Sequence, residues 1–136
     1  MAALTKARNT VKRDGARFSR PVAADAVIYQ GALVCLSATG FATPGATATT
    51  LTADGMAKES VDNTDGANGA VNVEVERGVF RLENSAAADA ITAAEIGDNC
   101  YIVDDQTVAK TDGSSARSIA GKIEDVDAQG VWVRIG

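Results

Sequence analysis

Apolar runs in this chain are short. Each is cut after a few residues by Gly, Asp, Asn, Thr or Pro, and this rhythm constrains the fold more than any other feature. AVIYQ (26–30) reads as a strand, broken at Gly31. ALVCLS (32–37) follows as a second strand, or as its continuation past a bulge. SATGFATPGATATT (37–50) reads as a turn and a Thr/Ala-rich connection, and residues 55–58 as a weak strand. VDNTDGANGA (61–70) is dense in turn formers and predicts an exposed loop. Val71, Val73 and Val75 alternate with Asn72, Glu74 and Glu76, the clearest half-buried strand, and 79–82 resumes after Arg77-Gly78. SAAADAITAAEIG (85–97) is the sole helical candidate, a connector of one short helix or helical turn. CYIVDD (100–105) and TVAKT (107–111) read as strands, then a loop at 112–116. RSIAGKIEDV (117–126) and GVWVRI (130–135) predict a hairpin. The expectation is an all-β fold, a small β-barrel or β-sandwich of short strands with at most one short helix.

Composition sets the core. Of the apolar residues, 26 are Ala, 26 are Val, Ile or Leu, and six are aromatic, so the core is small and aliphatic. A chain of 136 residues suits one domain with a tail. No His is present, which excludes a Ser-His-Asp triad, a Cys-His pair and any His-containing zinc site. No apolar run approaches the roughly 18 residues of a membrane span. The charged N-terminus has no apolar stretch behind it and does not read as a secretory signal. Cys35 and Cys100 sit in apolar strand-like runs, and reduced thiols in a cytoplasm are the default expectation.

Charge divides the chain. Residues 1–20 carry Lys6, Arg8, Lys12, Arg13, Arg17 and Arg20 against Asp14, a net +5, while the rest carries seven bases and 17 acids, a net −10. The expected organisation is therefore a basic N-terminal arm over 1–21, ending at Pro21, and a β-body over 22–136. The arm has few large apolar residues (Leu4, Val11, Phe18) and reads as extended. Three readings stay open: a solvated tail, a phosphate-neutralising nucleic-acid contact, or docking onto an acidic protein surface or a neighbouring copy. The arm lacks interleaved aromatics and the acidic body repels polyanions, which disfavours nucleic acid. Extended, such an arm reaches roughly 65 Å. The candidate partner-binding residues are Lys6, Arg8, Lys12, Arg13, Arg17, Phe18 and Arg20.

Chemistry-bearing motifs are sparse. Residues 125–130 resemble the opening of a Ca²⁺ loop, but the twelfth position is Gly136 rather than Glu, and a hairpin turn accounts for them better. Residues 62–66 form another acidic turn. Asp104-Asp105 and Glu124-Asp125 are paired carboxylates with no nucleophile or Arg cluster tied to them. No phosphate-cradling glycine motif occurs, and Ser114-Ser115 have no activating base. Trp132 and Phe80 read as core or interface. No catalytic, metal or cofactor site is expected, and the chain does not read as an enzyme.

Five segments in order resemble a family of tailed-phage capsid cement (decoration) proteins. They are IYQGALVCLSATGFATP (28–44), GMAKESVDN (55–63), VNVEVERGVFRLEN (71–84), AITAAEIGDNCYIVDD (90–105) and SIAGKIEDVDAQGVWVRI (118–135). The likeness covers 27–135; Met56 stands where the family has Val, and the arm matches no motif. The resemblance implies a small β-domain on the outside of an icosahedral head, made in the bacterial host cytoplasm and bound to the major capsid protein lattice after expansion. It also implies homotrimers at three-fold and quasi-three-fold positions, with a dimer left open. A tail or head–tail joining protein is the neighbouring alternative.

Overall fold

The computed structural model describes residues 2–13 and 15–136. The fold is all-β, with twelve strands among the described residues: β1 (Arg17–Pro21), β2 (Val27–Ile28), β3 (Leu33–Leu36), β4 (Ala42–Pro44), β5 (Thr52–Ala57), β6 (Val61–Asp62), β7 (Asn72–Glu76), β8 (Gly78–Leu82), β9 (Asn99–Ile102), β10 (Val108–Ala109), β11 (Ile119–Asp127) and β12 (Gly130–Ile135). One five-stranded sheet has the order β1-β7-β5-β3-β4, a second β10-β9-β11-β12-β8, and β2 pairs with β6 in a small ribbon. All strand pairings are antiparallel. Each large sheet curls until its edges meet at one parallel bridge, Val22 with Ala42 in the first and Glu83 with Thr107 in the second.

The two sheets are copies of one motif. Replacing β1, β7, β5, β3 and β4 by β8, β12, β11, β9 and β10 turns the first strand order into the second. The register agrees residue by residue. Val34 faces Gly55 and Cys35 faces Ala53 across a bulge; 66 residues on, Cys100 faces Gly121 and Tyr101 faces Ile119 across a bulge. Phe18 opposite Val75 is repeated by Phe80 opposite Val133. Backbone hydrogen bonds repeat as well. Gly31 N–H donates to Ala57 O and Ala57 N–H to Ala32 O, each at 2.9 Å; Gly97 donates to Ile123 and Ile123 to Asp98, each at 2.9 Å. Gly31 and Gly97 both take a left-handed φ, 89° and 97°, which glycine adopts without strain. Gly55 and Gly121 both pass so close to the neighbouring strand that a Cβ would collide with a carbonyl oxygen, of Glu76 and Arg134 respectively.

Side-chain alternation builds two cores. In β7 Val73 and Val75 point inward, and in β12 their counterparts Val131 and Val133 do, followed by Ile135, as a period of two requires. The first core holds Val22, Ile28, Val34, Ala42, Ala57, Val73 and Val75, with Val27's neighbour Ala26, Val61 and Val71 packed on it. The second holds Cys100, Ile102, Val108, Ile123, Val131, Val133 and Ile135. Leu33 and Cys35, on the outer face of β3, join this second core, and Leu51 and Ala53 pack against it. The first half thus lays its outer sheet face onto the second half, which is why LVCL in β3 is apolar on both faces. Ser118 ties the seam: its Oγ donates to Ala48 O at 2.6 Å and accepts from Leu51 N–H at 3.1 Å.

Several expectations change. Residues 17–21, read as the end of the arm, form β1 and pair along their length with β7. Residues 42–44, read as connection, form β4. The 61–70 segment opens with β6, and Asn63 is buried, donating to Ala23 O and Ala67 O. The Ala-rich 85–97 segment gives two single 3-10 turns, Ala87–Asp89 and Ala93–Glu95, around the buried Ile91. With Ile91 the one buried side chain of 85–97, little packing supports a longer helix there. The 117–135 hairpin forms, with Asp127 accepting from the N–H groups of Gln129 and Gly130 and from the Trp132 indole.

Candidate functional site

The candidate partner-binding residues fall into two groups. Residues 2–13 are exposed throughout, including Leu4 and Val11. Lys6, Arg8 and Lys12 make no ion pair with any described residue, so this segment offers free cations beside two uncovered aliphatic side chains. Asp14, the arm's one acid, lies outside the described residues.

Arg17, Phe18 and Arg20 belong to β1 and have partners within the chain. Arg20 grips Asp54 with two hydrogen bonds, Nε to Oδ2 at 2.7 Å and Nη2 to Oδ1 at 3.0 Å, the forked geometry a guanidinium makes best. Arg77 reaches the same Oδ1 at 3.2 Å. The Phe18 ring centroid lies 4.4 Å from each of these guanidinium groups, and Arg13 stands 5.4 Å from it. Arg17 lies opposite Glu76. The Lys58 ammonium, 2.7 Å from Glu76, holds that carboxyl below its ordinary value, and Arg17 adds to the effect.

Alternation explains the cluster. Phe18 and Arg20 lie on the same side of β1 as inward Val75 and Val73 lie on β7, and Asp54 occupies the bulge of β5. They meet at one mouth of the first half. Asp54 is buried, whereas Arg20 and Arg77 keep 24% and 34% of their side chains exposed, so two cations share one carboxylate at a rim open to solvent. Arg77 Nε is buried without a partner among the described residues. The sequence reading missed Asp54 and Arg77. The available signal was an acid inside the apolar run LTADGMA, since a buried carboxylate requires a cation.

Other acidic residues serve as turn and ladder partners. Asp62 accepts from Thr64 N–H and hydroxyl, and these bonds lower its pKa. Asp104 accepts from Gln106 N–H, and Glu124 from Arg134 Nε. The Trp132 indole, then the Gln129 N–H, lower Asp127. Both cysteines are free and buried. Burial pushes each thiol up to about 12, helped at Cys35 by the charge of Asp54. Among the described residues no group of three or more Cys, Asp or Glu is placed to hold a metal, and no helix is long and apolar enough to cross a membrane.

An open groove of about 640 Å³ lies at the seam between the halves, lined by Leu51, Tyr101, Asp112, Arg117 and Ile119 among others. Arg117 is held there by Asp89 at 3.2 Å and Thr111 O at 3.0 Å. No family model, curated protein or solved structure matches this chain.

Proposed function

We propose that this chain is a virion structural protein, a capsid decoration protein that binds the outer surface of the major capsid protein lattice of a tailed phage and stabilises the head. The carrying observation is the exposed, unpaired cationic segment 2–13 set against an acidic β-body. A free basic segment steers onto an acidic neighbour and orders there, while the body supplies a rigid platform. Simultaneous contact with several subunits multiplies weak affinities. The five-segment resemblance to cement proteins points the same way, and brings with it a homo-oligomer, a trimer or a dimer, on the capsid exterior.

The test is co-sedimentation with expanded, undecorated heads of the cognate phage. Saturable binding in numbers comparable to the capsid subunits is expected. A handful of copies per head would instead indicate a head–tail joining protein, and salt-dependent retardation of DNA without head binding would indicate a nucleic-acid protein. A chain lacking residues 2–13 keeps β1, so it is expected to stay folded and bind heads more weakly, with a reduced salt dependence.

A further inference from the structure

The repeat has two open ends, and they are the two sides of a contact the chain already makes once. Inside the molecule, the outer face of β3 and β5 (Leu33, Cys35, Ala53), with Leu51 just before β5, packs onto the second half's core, where Leu82, Ala120 and Ile135 sit. The counterparts of these residues have no such cover, and of them only Asp54 is buried. On the second half, the face equivalent to Leu33, Cys35 and Ala53 is Asn99, Tyr101 and Ile119; Ile119 is 50% exposed and borders the groove. On the first half, the positions equivalent to Leu82, Ala120 and Ile135 are Arg20, Asp54 and Arg77. Leu82 and Ile135 are 7% and 1% exposed, whereas Arg20 and Arg77 form the solvent-open mouth.

We infer that a second copy of this chain docks head to tail, its Tyr101–Ile119 face covering the Arg20–Arg77 mouth. The occupant follows from the molecule itself, because the equivalent face is covered by a half of the same build. Terminal repeats normally blunt such ends with polar side chains. Here one end keeps Tyr101 and Ile119 outward, and Asp112 in its groove is a carboxylate without an ion pair among the described residues. The other end gathers Arg13, Arg20 and Arg77 around Phe18. The two are complementary in charge, and each offers an aromatic ring. A contact of this kind is heterologous, and it closes into a ring where the rotation per copy allows. It sharpens the homo-oligomer part of the proposed function. It is tested on purified protein without heads, so failure of head binding and failure of this contact are separate results.

The experiment uses two single-cysteine additions at exposed positions, Ile119→Cys and Arg13→Cys, with a short bis-maleimide; buried Cys35 and Cys100 stay silent. The expected result is cross-linked dimer when the two variants are mixed and none from either alone. Sedimentation of the wild-type chain is expected to show self-association, weakened about tenfold or more by Ile119→Arg. Cross-linking of either variant with itself in preference to the mixture would mean a two-fold contact and overturn the inference. So would a monomeric wild-type chain that gives no mixed product.

Discussion

The two halves of this chain solve the same packing problem with opposite chemistry. At one end of the second half, Phe80, Leu82, Ala120 and Ile135 lie in or against an apolar core. At the same positions of the first half stand Phe18, Arg20, Asp54 and Arg77, joined by hydrogen bonds and ring stacking. What differs is the cover. The second half is capped by Leu33, Cys35, Leu51 and Ala53, so burying a Leu or Ile there gains roughly 1.5–3 kcal/mol. The first half has no such cap, and the same residues would lie open to water. Arginines tolerate that boundary, since their stems pack while their heads stay wet. The surface pairs show a similar freedom: Lys58 with Glu76 in the first half becomes Glu124 with Arg134 in the second, the charges exchanged. What the halves hold in common is backbone necessity, Gly31 with Gly97 and Gly55 with Gly121.

The strongest way to break the comparison is to move the carboxylate without its cations. Ala120→Asp places an acid in the second core, where Leu82 and Ile135 stand at the positions of Arg20 and Arg77, and a loss of about 4–5 kcal/mol is expected, enough to unfold much of the protein in chemical denaturation. Arg20→Leu leaves Asp54 with Arg77 alone and is expected to cost about 2–3 kcal/mol, below the usual figure for a buried pair because Arg20 is partly solvated. Adding Asp54→Ala and Arg77→Ile copies the second half in full. The triple variant is expected to regain most of that loss in the same titration, while exposing an apolar mouth that raises self-association. A triple variant no more stable than Arg20→Leu would show that the halves are not interchangeable. Gly55→Ala and Gly121→Ala should each cost about 2 kcal/mol and by similar amounts, since both push a methyl against a neighbouring carbonyl; a large difference in melting temperature would weaken the equivalence. Exchanging Lys58 and Glu76 for each other, the polarity of the second half, should change stability by less than about 1 kcal/mol, as exposed pairs do.

Much of the β-architecture was legible because period-two alternation survives wherever one face is buried. VNVEVE and GVWVRI announced β7 and β12 on that ground. RFSRP did not announce β1, because its inward positions are Phe18 and Arg20, and a cation pointing inward reads as surface until its carboxylate is known. ATP at 42–44 is too short, and ends in a proline tolerated only at a sheet edge. The repeat itself was hidden by unequal connections. β3 and β5 recur after 66 residues, Phe18 recurs as Phe80 after 62, and Val75 as Val133 after 58, so no single period aligns them. The cationic segment was readable from charge alone. The Asp54 cluster was not, since its members lie on two strands, β1 and β5, and at the β7–β8 junction, which only the fold brings together.

Residue-resolved amide hydrogen exchange on the purified protein tests the duplicated architecture most directly. The N–H groups of Gly31, Ala57, Gly97 and Ile123 are all expected to be protected, as two matched pairs that donate across the same places in the two halves. Protection of Gly31 and Ala57 with free exchange at Gly97 and Ile123, or the reverse, would contradict it.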